Sequence, residues 1–142
     1  LGAVAGALVL RRPRRARASA HLAVHTGPPV PRGGQVEARV DVRPGLAGGV
    51  RVGLVCTERY GCMERRPGDR GRTVRVRVTR EAPVHEQWLD LDGTPGTHPV
   101  RFPVPADALY SHEGDAVSYL WQVVARDPGR GGEHAAPVWV LP

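Results

Sequence analysis

The chain has 142 residues, enough for one domain, and its 18 glycines and 14 prolines against only seven aromatics argue against a helical protein. Its formal net charge of +6 rests on 20 arginines and no lysine, a bias of GC-rich coding. Five arginines stand in one run before the first acidic residue, Glu37, and the other 15 face 14 carboxylates, so the remainder sums to +1 and a basic nucleic-acid-binding face is not expected.

Residues 1–10 (LGAVAGALVL) carry no polar side chain. A spanning helix needs about 20 apolar residues, and with Leu1 rather than Met at its start the stretch is expected to be the C-terminal part of a transmembrane helix. Arg11, Arg12, Arg14, Arg15 and Arg17 follow it directly. That order is of the stop-transfer kind, since a secretory signal places its charge first. Such flanks stay in the cytoplasm, and anionic lipid headgroups attract each arginine by about 1 kcal/mol. Residues 11–19 are therefore expected to be a basic juxtamembrane linker, with a cytoplasmic domain over 20–142. The rival reading is an apolar leader followed by a disordered linker.

From residue 20 onward, short valine-rich stretches alternate with Gly/Pro turn signals. They predict strands over 20–26, 35–42, 50–59, 72–80, 84–91, 98–104, 116–126 and 136–141, with one short helical turn over 105–111. Many short strands at near-regular spacing imply an all-β sandwich or barrel. Alternation places Val50, Val52, Leu54 and Cys56 on one face, and Arg51, Gly53, Val55 and Thr57 on the other. Val74, Val76 and Val78 likewise oppose Arg75 and Arg77. Residues 117–124 are apolar on both faces, as in a central strand. Trp88, Trp121, Phe102 and Leu120 are the candidates for densest packing.

Candidate chemistry is sparse. Cys56 and Cys62 would lie about 20 Å apart in one straight strand, so a disulfide needs the chain to turn at Tyr60-Gly61. Cytoplasmic placement favours free thiols, with Cys56 a small core residue. An oxidised pair in an extracytoplasmic domain is the alternative. No Cys or His pair has metal-site spacing, and His21 and His25 would stand about 13 Å apart on a strand. Ser19, Ser111 and Ser118 lack a nucleophile motif, and Ser111 reads as a turn residue. Asp90, Asp92, Glu113 and Asp115 read as solvated loop carboxylates. Gly131-Gly132 lacks the lysine and helix of a phosphate loop. Neither catalysis nor a cofactor is expected.

The stretch 98–127, HPVRFPVPADALYSHEGDAVSYLWQVVARD, resembles the signature of arrestin-like domains through Phe102, Pro103, Pro105, Ser111, Glu113, Gly114, Tyr119 and Val123. Residues 31–36 resemble the Pro/Gly turn before that family's second strand, and 50–58 resemble its third. Tyr110 stands where the family usually has proline, and nothing matches the receptor-phosphate sensor of true arrestins. The resemblance implies a single-lobe, immunoglobulin-like β-sandwich with a scaffold or adaptor role.

The expected function is therefore a membrane-tethered cytoplasmic β-sandwich that docks a partner protein. A free sheet edge would accept an extended segment, or Arg51, Arg75 and Arg77 would meet acidic groups. Lipid headgroups are expected at the basic run, with no nucleic acid and no small-molecule substrate. The alternative is a structural or oligomerisation domain of a larger membrane protein.

Overall fold

The computed structural model describes residues 17–142 apart from residue 47, together with the backbone of Leu8–Val9. Eleven strands appear: β1 (Leu8–Val9), β2 (Arg17–Ala18), β3 (Leu22–Thr26), β4 (Val30–Pro31), β5 (Gln35–Val42), β6 (Val50–Pro67), β7 (Thr73–Leu91), β8 (Gly96–Pro103), β9 (Val117–Asp127), β10 (Gly132–Val138) and β11 (Val140–Leu141). One sheet has the order β1-β7-β6-β9-β10-β2, a second β3-β5-β8, and β11 pairs with β4. The described residues contain no α-helix, only a 3-10 turn at Asp69–Gly71.

Alternation decides which side chains enter the space between the sheets. Val36, Ala38, Val40 and Val42 of β5 face Val50, Val52, Leu54 and Cys56 of β6, with Trp121, Val123 and Ala125 of β9 beside them. Each fully buried valine or leucine contributes about 1.5–3 kcal/mol, which is how a chain with few aromatics stabilises a sandwich. Phe102 and Trp121 are buried as expected. Trp88 and Leu120 are not: both fall on the outward phase of their strands, and Trp88 lies over Gly53, where a Cβ would come within 2.4 Å of the indole.

The two open sides of the sandwich are closed by side chains. On one, the Val24 amide donates to His134 Nδ1 (2.9 Å) and Thr26 Oγ1 donates to the Pro137 carbonyl (2.7 Å). On the other, Gln87 Nε2 donates to the Pro103 carbonyl (2.7 Å). Proline has no N–H, so Pro99 and Pro103 fit β8 only where the amide would point away from β5. Two of the four outward donor positions at 97, 99, 101 and 103 are thereby removed, which blunts this edge against β-addition.

Several boundaries differ from expectation. β6 does not turn at Tyr60-Gly61 but continues to Pro67, and the strands predicted over 72–80 and 84–91 are one, β7. Their register shifts between Cys56 and Thr57, with Cys56 opposite His85 and Thr57 opposite Pro83, so Val84 is the extra residue of a β-bulge. The predicted helical turn over 105–111 is only a turn closed by the Ala108 amide on the Pro105 carbonyl (3.1 Å). Asp90 lies in β7 rather than a loop.

The apolar stretch and basic run fall outside the described residues except for Leu8–Val9 and Arg17. Leu8–Val9 pair in parallel with Arg77 and Val78 of β7. The backbone of these two residues is extended and laddered, and the rest of the expected transmembrane segment lies outside the described residues. Among the described residues no helix is long and apolar enough to cross a membrane.

Candidate functional site

The continuous β6 and β7 make a hairpin that outruns its neighbours. β9 accompanies β6 only as far as Tyr60, opposite Val117. Beyond that point β6 pairs with β7 alone, down to Pro67 opposite Thr73. At about 3.4 Å per residue the unaccompanied part is roughly 20 Å long. The arm formed by residues 59–81 carries eight arginines and three carboxylates, while residues 18–58 and 82–142 together carry seven arginines and eleven carboxylates. The near-neutral domain expected from composition is thus a basic arm on an acidic body.

The two faces of the arm differ in how that charge is compensated. On the inner face, shared with the buried Val76 and Val78, Glu64 bonds both Arg66 (3.0 Å) and Arg80. On the outer face, Arg59 Nε donates to Glu81 Oε1 at 2.6 Å. Further out on that face Met63 stands opposite Arg77 and Arg65 opposite Arg75. Arg65, Arg75 and Arg77 have no ion-pair partner among the described residues, which include every carboxylate of the chain. The Arg77 guanidinium lies against Gly61, its Nε 3.5 Å from where a Cβ would stand. Arg65 and Arg75 are like charges directly opposite one another, an arrangement that destabilises a strand pair.

Arg51 does not join this group. It stands opposite Asp90 at the other end of β6, about 45 Å from Arg65 along the strand. Its guanidinium is 5.3 Å from the Trp88 ring, and that of Arg126 is 4.7 Å from the same ring. Arg51 also approaches Asp90 (3.7 Å), and Arg126 bonds Glu133 (3.0 Å). This outer-face platform is internally compensated. Of the three arginines expected to meet a partner, Arg75 and Arg77 lie together, beside Arg65, while Arg51 lies apart from them. Arg17 is exposed in β2 at the far edge of the large sheet, and Arg11, Arg12, Arg14 and Arg15 lie outside the described residues. Arg65 was missed because its position opposite Arg75 is visible only once the hairpin register is known.

The remaining polar groups hold the fold. Ser111 is buried, and its Oγ accepts from the Val140 amide (2.8 Å) while its own amide donates to the Val140 carbonyl (2.8 Å). It clamps β11 and is not a loop-turn residue. Asp41 on the outer face of β5 accepts from Thr97 Oγ1 (2.9 Å) and meets His25 (2.9 Å) and Arg39 (3.5 Å). The Thr97 hydrogen bond foremost, and then the Arg39 charge and the contact with His25, hold its carboxyl below the ordinary value. Cys56 and Cys62 are free thiols on one strand. Cys56 is buried at the floor of a cleft of about 200 Å³ lined also by His85, Trp121, Val84 and Leu109. Burial foremost, with Glu58 adding, pushes its thiol up to about 12, so it is no nucleophile near neutral pH.

No protein-family model matches the chain, and no curated protein matches it. Among solved structures it is similar to Spo0M, a sporulation control protein from Bacillus subtilis, with a TM-score of 0.52 and 18% sequence identity over 87% of this chain and 51% of that one. The chain thus spans about half the length of that protein. The likeness supports an arrestin-like fold.

Proposed function

We propose that this arrestin-like sandwich is a docking domain of scaffold or adaptor type, engaging an anionic partner through the outer face of its arm. The observation that carries this reading is the trio Arg65, Arg75 and Arg77. The chain has carboxylates to spare, yet they lie on the body, while two guanidiniums stand opposite each other at the cost of strand-pair stability. Guanidiniums offer forked donors suited to carboxylate and phosphate. Uncompensated ones on a projecting hairpin can meet such groups without first breaking an internal ion pair. The cytoplasmic face of a membrane remains the setting in which the basic run and the arm would act together.

Isothermal titration of the full chain with polyglutamate tests this. Arg75→Glu with Arg77→Glu is expected to weaken binding at least about tenfold without lowering the melting temperature. Unchanged affinity would remove the arm from the binding surface.

A further inference from the structure

The exposed apolar side chains share the arm's end of the molecule. Cys56, opposite His85 and Trp121, and Val138, opposite Trp121, mark one row across the large sheet. Among the described residues every large exposed hydrophobic lies at or beyond that row on the arm side. Val84 lies at the bulge, one residue from His85 toward the arm, and Tyr60, Met63 and Val74 lie in the arm itself. Trp139 and Leu141 follow Val138, while Leu109 and Tyr110 lie in the loop held by Trp121 Nε1, which donates to the Leu109 carbonyl (2.8 Å). The arm's surplus positive charge lies at the same end, beside the loop that carries Glu113 and Asp115.

We infer that the arm end is a bilayer-contacting surface whose ligand is a sheet of anionic lipid headgroups. This rests on the docking reading above and names its partner. A soluble acidic segment satisfies the guanidiniums but leaves Met63, Val74, Trp139 and Leu141 in water. A headgroup layer satisfies both, because phosphates meet the arginines while the apolar side chains enter the acyl boundary below. Met63, 52% exposed and directly opposite Arg77, is the clearest instance of the two chemistries on one face. The arm's own surplus of arginine draws that element toward a negative surface. The contact is additional to the basic run, since it lies on the folded domain.

The test is co-sedimentation of the full chain with vesicles of phosphatidylcholine alone and of phosphatidylcholine with about one-third phosphatidylglycerol, in low and high salt. Three variants accompany it: Arg65→Glu with Arg75→Glu and Arg77→Glu; Met63→Ser with Val74→Thr; and Arg11, Arg12, Arg14, Arg15 and Arg17 all changed to Gln. Binding only to the anionic vesicles is expected. It should be weakened on the order of 100-fold by arm charge reversal and several-fold by the Met63/Val74 variant, and retained in part by the Gln variant. Vesicle binding that ignores arm reversal and vanishes in the Gln variant would overturn the inference. Polyglutamate binding without vesicle binding would also overturn it, pointing to an acidic protein while leaving the docking reading intact. If neither probe binds, both readings fall.

Discussion

At Cys56 the thiol is buried beside Trp121, and burial pushes its titration up to about 12. Cys62, six residues on along the same strand, is partly exposed beyond the sandwich core. A thiol reagent at pH 8 is therefore expected to modify Cys62 rapidly and Cys56 only after denaturation. Two equally fast thiols would contradict the burial of Cys56. Asp41 makes a second prediction at this scale. Its folded carboxyl titrates below its ordinary value, so its contribution to stability is present above about pH 4 and is lost as pH falls through the lowered folded value. Asp41→Asn should flatten that part of the acid limb of a melting-temperature profile, and an identical limb in the variant would show that the Thr97 and His25 contacts do not form in solution.

At the scale of elements, the pairing of β6 with β7 explains both what the sequence displays and what it hides. Strands such as β5, with Val36, Ala38, Val40 and Val42 inward and charged residues outward, are legible because one face is buried and one is wet. The arm is not. Cys62-Met63-Glu64-Arg65-Arg66 has no apolar period, because those residues are held by their ladder with β7 and not by the sandwich core. The bulge at Val84 compounds this by reversing the phase, so Val76 and Val78 face inward on even positions and Leu89 and Leu91 on odd ones, and one strand looks like two. Platform residues were equally hidden, since Trp88 reads as core until Gly53 is seen to open a seat for it on the outer face. Gly53→Ala should therefore lower stability by about 1–3 kcal/mol, and Trp88→Ala in the same chain should remove most of that loss. An additive double variant would mean that the indole does not rest there. On the arm, Arg75→Glu places a carboxylate opposite Arg65 and should raise stability by about 0.2–1 kcal/mol while reducing anion binding.

For the whole molecule, the sandwich, its valine core and most of its strands were readable from alternation and turn residues. The charge asymmetry was not, because residues 59–66 and 70–80 look like interspersed charges until the hairpin sets them side by side. The resulting picture of the described residues is a fold with side-chain closures along both open flanks, prolines on the β8 edge and a projecting cationic hairpin. The measurement that tests this most directly is an ¹⁵N-edited spectrum of the arginine Nε–H groups of the full chain during titration with polyglutamate. Shifts at Arg65, Arg75 and Arg77, with Arg51 and Arg126 held unmoved over Trp88, are the predicted result. Movement of Arg51 and Arg126 with the arm silent would contradict it.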